Sequence, residues 1–419
     1  MESDFTSSVE QLVNKGALIP NPQSVLIGDE VDLDRVAGKN VVIYPGCKIL
    51  GARTLIMPGA KLGYEGPVTL EDCQIGPDVE LRGGFFRRSV FLEKATMGAG
   101  AHVREGCIIE EAAGGAHTVG LKQTILFPFV TLGSLINFCD CLMAGGTSRK
   151  NHSEVGSSFI HFNYTPNQDK ATPSLIGDVP RGVMLNQSPI FLGGQGGLVG
   201  PVRIAYGTVI AAGVVYRRDV FEGGGLLLDD EPLDREMRFH PGLYWQLEKP
   251  VLNNINYIAN LIALRRWYVE VRTLFFRGDD MSKMLYRGVV EKLEEAIKER
   301  VRRFKELSEK MPESAEKYRS IMKARASEAL LNQKKTLHEQ WPALEHIFLE
   351  SVDAGGDPSS REPFLKELDK RISEDGKEYV ATIQGLDSEY SAMGTAWLQG
   401  IVNRISAAVL DVIPSFRLE

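Results

Sequence analysis

The stretch GGTSRKNHSE gathers Arg149, Lys150, His152 and Glu154 within six residues. An imidazole is the side chain that takes up a proton near neutral pH, and a carboxylate two positions on would orient it. The two cations with the imidazole would equally hold a phosphate or diphosphate. A second histidine, His161, follows shortly after. Arg104 in HVREG and Lys122 in GLKQT stand eighteen residues apart. A fork-shaped guanidinium over a point-charge ammonium suits a monophosphate if a repeat of that length stacks them; otherwise they are solvated surface cations. No metal is expected, because histidines 102, 117, 152 and 161 include no His-x4-His pair and Cys139-x-Cys141 alone is a poor ligand set.

What must position these groups is visible in the glycines. Residues 1–244 hold 34 of the 42 Gly, whereas charged residues concentrate in 245–419, at 55 of 175 against 48 of 244. Two architectures share the chain. In the first, aliphatic residues recur every sixth position: Ile43, Ile49, Leu55; Phe91, Met97, Val103, Ile109; Leu192, Leu198, Ile204, Ile210. A helix repeats near 3.6 and a strand near 2, so a strict six needs short flat strands separated by turns. Three such strands close one coil of about 18 residues, the signature of a parallel β-helix. Glycine serves its corners and close approaches. Residues 24–222 then supply about ten coils, and 111–118, 145–152 and 165–190 are expected as loops thrown out from them. Residues 1–23 form an amino-terminal cap: Ser7 and Glu10 have capping-box spacing, Gly16 ends a short helix, and Leu12 and Val13 cover the first coil.

From 245 to 419 the period becomes helical. Leu285, Val289, Leu293, Ile297, Val301 and Phe304 predict an amphipathic helix over 281–311. Similar patterns over about 250–276, 313–351 and 362–412 predict four helices in an antiparallel bundle. Segment 253–276 is apolar on more than one face, which predicts burial in the bundle, with packing on the β-helix or a neighbouring subunit as alternatives. Arg265-Arg266 beside Trp267 is either an anion site or a solvated face. The net charge of −7 argues against a broad nucleic-acid surface. The absence of a long apolar run, of a leader-like start and of a paired cysteine pattern predicts a cytoplasmic protein with no membrane partner.

The six-residue pattern resembles the left-handed β-helix of the hexapeptide-repeat acyltransferases, and the left-handed winding is taken from that resemblance. The run EVGSSFIHFNYTPNQDKAT, LIGD and FLGGQGGLVGPVRIAYGTVIAAGVVYRRDV, within residues 154–220, resembles the last coils of the acetyltransferase domain of the bifunctional enzymes that make UDP-N-acetylglucosamine. The likeness reaches more weakly back to about residue 90. It covers neither 245–419 nor the nucleotidyltransferase half of those enzymes.

The resemblance implies that Arg104 and Lys122 bind a sugar phosphate and that Asn163 and Tyr164 contact the amino sugar. Gly194 and Ala212 fall in the acetyl-CoA groove, and the Ser157 backbone N–H polarises the thioester carbonyl. The chain departs from the family where its catalytic His falls on Ser134, which is no base near neutral pH. A substrate-binding Tyr becomes Asn137, an Asn becomes Glu154, and a coenzyme-binding Lys becomes Asp169. His152, oriented by Glu154, or else His161, is the expected replacement base. The expectation is a cytoplasmic homotrimer that binds an amino-sugar phosphate or nucleotide sugar and acylates it from acetyl-CoA or a related thioester. The alternative is a non-catalytic sugar-nucleotide sensor or assembly scaffold that has lost the base.

Overall fold

The computed structural model describes residues 3–228, 238–276, 278–376 and 378–417. From Leu26 to Leu227 the chain winds as a left-handed parallel β-helix of about eleven coils, and a helical region follows. One face of the prism is a ten-stranded parallel sheet from Val42–Ile43 to Leu226–Leu227. The other two faces are fused into one sixteen-stranded sheet, because Gly120–Leu126 and Asn137–Met143 run through the corner between them. The hexad aliphatics point inward, for Ile43, Ile49, Met97, Val103, Ile109, Leu192, Leu198 and Ile210 have no exposed surface; the exception is Leu55, which faces outward because the register slips by one and Ile56 takes the inward place in line with Ile75 and Phe91. Coils lie so close that a Cβ on Gly84, at φ +132°, would come 2.1 Å from the Ala101 carbonyl oxygen.

Several local expectations change. The first helix spans Ser3–Asn14, so Ser7 lies inside it. Leu12 is buried on the first coil but Val13 is 42% exposed, since neighbouring positions point to different sides of a helix. Residues 111–118 are no loop, for Gly114–Gly115 pairs in the ten-stranded sheet. Residues 145–152 form an antiparallel hairpin. The stretch 165–190 returns to the prism as strand Ser174–Ile176 and then makes the short helix Val179–Gly182.

Among the described residues after 245 there are eight helices rather than four. The expected 281–311 helix is Asp280–Glu309, capped by Asp279. The expected 313–351 helix is three, Met311–Met322, Glu328–Glu339 and Trp341–Glu350. Lys323 at φ +49° ends the first, Ser327 caps the second, and Pro342 sits in the first turn of the third. The 362–412 pattern divides at Gly376 and Gly385.

The helical region lies against the β-helix. Outward residues on one face of the prism, Leu55, Gln74, Val90, Ile108, Ile125, Leu142 and Leu175, are all buried. The 280–309 helix runs along that face. It is tied through Arg53–Glu291, Arg88–Glu295 at 3.5 Å, Asp140–Arg300 at 2.7 Å and, one residue past its end, Lys310 to the Asn167 carbonyl at 2.8 Å. From residue 291 to 310 a helix rises about 29 Å at ~1.5 Å per residue. The six coil steps from the strand after Arg53 to the strand after Asn167 climb about the same at ~4.8 Å each. The match lets successive helical turns meet successive coils. The Glu248–Glu270 helix is buried between this helix, the carboxyl-terminal helix and the prism, with Asn254 donating to the Ala171 carbonyl and Asn260 accepting from Val179 N–H. Of the three alternatives for this segment, burial in the bundle and packing on the β-helix are thus both true of it. No helix among the described residues is long and apolar enough to cross a membrane.

Candidate functional site

One face of the sixteen-stranded sheet remains open. Strand register stacks the outward residues Phe85, His102, Gly120, Asn137 and Ile160. A shallow cavity of about 440 Å³ lies on this face, lined by His102, Arg104, Thr118, Leu135, Asn137 and Ile160 among others. The Val103–Leu121 pairing sets Arg104 and Lys122 in adjacent coils at the edge of the face, which is the stacking their spacing predicts. Their electrostatics differ. Arg104 is exposed, with Nη2 3.9 Å from the Cys139 thiol, whereas Lys122 Nζ is paired with Glu105 at 2.7 Å. Burial works to raise the Glu105 pKa, but the Lys122 hydrogen bond and the charges of Lys122 and Arg104 hold it below the ordinary value. Lys122 is thus tied up in a contact ion pair with Glu105, whereas Arg104 feels that carboxylate only at longer range and lines the cavity.

The opposite edge of the same face is a corner, and its residues form a single column. Pairing of Gly115, Leu132, Val155, Leu192 and Ile210 across coils places the second residue after each, His117, Ser134, Ser157, Gly194 and Ala212, one above another. His117 Nδ1 lies 2.8 Å from Ser134 Oγ. The Ser157 hydroxyl accepts the Ser134 N–H at 3.1 Å, and Ser158 N–H donates to the Ser134 carbonyl at 2.8 Å. Gly133 leaves this corner open, since a Cβ there would stand 2.8 Å from Ser157 N and 2.9 Å from its Oγ. A Cβ on Gly194 would meet the Ser157 carbonyl oxygen at 2.7 Å, so coil packing alone already demands glycine there. The turn at Leu135, φ +60°, joins Ser134 to Asn137 and keeps them within about 10 Å, the full reach of three residues at ~3.3 Å each. A hydroxyl–imidazole pair, a side-chain amide and a guanidinium thus share one open face. The pairing of His117 with Ser134 was not among the sequence-based expectations. The available signal was their separation of seventeen residues, one coil.

The other expected bases are placed elsewhere. His161 occupies an inward position between Phe138 and Leu198, 2% exposed, with Nδ1 2.5 Å from the Cys139 carbonyl oxygen and Nε2 2.7 Å from Ser174 Oγ. Burial lowers its pKa, which keeps it neutral and structural. His152 does stand beside Glu154, Nε2 to Oε2 3.7 Å, but on the hairpin at the far edge of the ten-stranded face. Five residue positions across that face, roughly 16 Å at ~3.3 Å each, separate it from Ser134 in the same chain. Arg149 is held down by bonds to the Ala112 carbonyl at 2.9 Å and Thr131 Oγ1 at 2.8 Å, while Lys150 is exposed.

Asn163 is turned toward the helical region: its amide donates to Asp140 at 2.5 Å, and Asp140 is paired with Arg300. Tyr164 is exposed. Asp169 is buried and accepts from Tyr244 at 2.8 Å, so it anchors the segment leading into the helices. Arg265 pairs with Glu294 and Asp353, and Arg266 with Glu270, which leaves neither as an open anion site. All five cysteines are free and buried. No group of three or more His, Cys, Asp or Glu among the described residues could hold a metal ion.

No family model matches the chain. Curated proteins that it is similar to include the bifunctional protein GlmU of Thermotoga maritima, 27% identical over 216 residues, which are 51% of this chain and 42% of that protein. The bifunctional protein GlmU of Fervidobacterium nodosum is 28% identical over 216 residues, 51% of this chain and 41% of the relative. That of Clavibacter sepedonicus is 29% identical over 209 residues, 50% and 37%. The chain thus spans less than half the length of these relatives, and about half of it finds a counterpart in them.

Proposed function

We propose that the open face binds an amino-sugar phosphate or nucleotide sugar and that the chain transfers an acyl group to it from a CoA thioester, acetyl-CoA in the first instance. The observation that carries this reading is the 2.8 Å contact between His117 Nδ1 and Ser134 Oγ. It restores an imidazole at the coil position where the resemblance to the bifunctional enzymes finds Ser134 in place of their catalytic histidine. In this scheme Arg104 holds the phosphate, Asn137 and Tyr164 contact the sugar, and the pantetheine lies along Gly194 and Ala212. The Ser157 backbone N–H stabilises the oxyanion as the thioester carbonyl becomes tetrahedral. The amine proton passes to His117, and CoA leaves as the thiol. The acting species is a cytoplasmic homotrimer whose neighbouring prism closes each face, as in the resembling family. In such an assembly the His152–Glu154 hairpin of a neighbour is the second source of an imidazole, and its Lys150 of a phosphate contact.

Two observations favour a second reading, a non-catalytic sugar-nucleotide sensor: Glu105 neutralises Lys122, and Tyr244 occupies Asp169. One experiment separates the two. Melting temperature is recorded with acetyl-CoA, glucosamine-1-phosphate and UDP-N-acetylglucosamine, and thiol release is followed on every ligand that shifts it. Acyl transfer predicts a shift with acetyl-CoA and thiol release that needs the amino sugar and falls at least 100-fold in His117→Ala. A shift with UDP-N-acetylglucosamine and no thiol release supports the sensor. No response to any thioester at millimolar concentration ends the acyltransferase reading.

A further inference from the structure

The acyl-transfer reading leaves open whether the acyl group passes to the acceptor directly or by way of the protein. We propose that Ser134 is itself acylated, with His117 as its base, so that the transfer runs through an acyl-serine intermediate. The inference rests on the acyl-transfer reading and on four features of the corner. First, hydroxyl and imidazole are within hydrogen-bond reach at 2.8 Å, the arrangement that activates a serine nucleophile when Nδ1 accepts from Oγ and the imidazole proton sits on Nε2.

Second, the serine is fixed in place. Its N–H is held by Ser157 Oγ and its carbonyl by Ser158 N–H, while the turn after it is pinned by Leu135 N–H to the His117 carbonyl at 3.1 Å. The hydroxyl thus has a small orientational cost to reach a near-attack position. Third, the pair is accessible: His117 is exposed and Ser134 half-buried, in contrast to His161, whose hydrogen bond to Ser174 lies inside the prism. Fourth, it adjoins the cavity that Arg104 and Asn137 line, for the residues immediately after His117 and Ser134, Thr118 and Leu135, form part of its wall.

The chemistry balances without any further reagent. Ser134 Oγ attacks the thioester carbonyl while its proton moves to His117, a C–O bond forms, the C–S bond breaks, and CoA departs as the thiol with the proton returned by His117. The acceptor amine then attacks the serine ester, His117 takes the amine proton and returns it to Ser134 Oγ, and the amide leaves. Ser134 would be a catalytic residue in place of the base that the resembling enzymes carry at this position.

The test uses the full chain with acetyl-CoA and no acceptor, quenched in acid and read by intact mass and peptide mapping. Acetylation of the Ser134 peptide is expected, lost on adding glucosamine-1-phosphate. It should be absent in Ser134→Ala and at least tenfold slower in His117→Ala. A burst of nitrophenolate equal to the enzyme concentration is expected with 4-nitrophenyl acetate, again lost in Ser134→Ala. Ser134→Cys should keep an acylated side chain. If Ser134→Ala releases thiol at the wild-type rate when the amino sugar is present, transfer is direct and the acyl-serine is overturned while acyl transfer stands. If neither acylation nor acceptor-dependent thiol release occurs with any donor, both fall together. Acetyl groups found only on lysines also overturn it.

Discussion

Arg300 of the 280–309 helix and Asp140 of the β-helix form an ion pair of 2.7 Å in which only 2% and 5% of the side chains are exposed. Asp140 also receives the Asn163 amide, so the residue next to Tyr164 is held by a carboxylate that the helical half neutralises. Removing one partner leaves the other charge buried and uncompensated. Arg300→Met should therefore cost about 3–5 kcal/mol in denaturant unfolding. Arg300→Met combined with Asp140→Asn should recover most of that loss, because the neutral pair needs little desolvation. Equal losses in the single and double variants would show that the orphaned Asp140 carboxylate carries none of the cost.

The face beneath the helices gives a second prediction. Ile108 points outward from the prism and is 1% exposed because helices cover it. Ile108→Asp places an unpaired carboxylate there and should destabilise by several kcal/mol, on the order of 3 or more. Lys48 points outward on the open face and is exposed; Lys48→Asp should change stability by less than about 0.5 kcal/mol. Equal effects at the two positions would contradict the one-sided covering.

That asymmetry was legible in the sequence. Strands of the open faces read as one outward polar and one inward apolar residue, as in Lys61-Leu62, Glu80-Leu81 and Thr96-Met97. Strands of the covered face are apolar twice over, as in Val90-Phe91, Ile108-Ile109, Ile125-Leu126 and Leu142-Met143. A strand apolar on both sides is covered on both sides. The hexad rule found the inward residues, Leu55 excepted, because one interior repeats in every coil; at Leu55 the strand is apolar on both sides and the period alone does not tell it from Ile56. It could not place His152 or Asn163, because a hairpin and an excursion interrupt the register on either side of them. The division of the expected long helices was written in Pro342, Gly376 and Gly385, which outweigh an amphipathic pattern that continues across them. His117 escaped notice because an isolated histidine carries no local signal; its meaning lies in the residue one coil away.

Unequal neutralisation at the sugar-phosphate edge predicts unequal effects there. Arg104→Ala removes the cavity-lining guanidinium and should weaken sugar-phosphate binding about 10- to 100-fold, the worth of a charged hydrogen bond of ~1.5–3 kcal/mol. Lys122→Ala should cost less, because its charge is already shared with Glu105. Glu105→Gln should strengthen binding several-fold by freeing Lys122. Isothermal titration with glucosamine-1-phosphate reads all three, and a larger loss at Lys122 than at Arg104 would reverse the assignment.

Glu110, buried beneath the Glu248–Glu270 helix, gives the structure a pH dependence. Burial raises its pKa to about 7, with the Glu111 charge adding to the rise and the Arg272 charge and the Tyr268 hydroxyl opposing it. The unfolded carboxyl titrates at the ordinary value of 4.5. Between those values the folded protein retains a proton that the unfolded chain has released. Stability from this group is therefore full below about pH 4.5, falls as pH rises to about 7 and is level above, a change of about 3 kcal/mol at ~1.4 kcal/mol per pH unit. Glu110→Gln keeps an acceptor for Tyr268 and removes the titration. Its stability relative to wild type should rise by about 3 kcal/mol between about pH 4.5 and pH 7.5. Urea unfolding of both proteins across that range reads the difference directly. A constant difference would mean that Glu110 stays ionised in the fold, held so by the Arg272 guanidinium despite its burial.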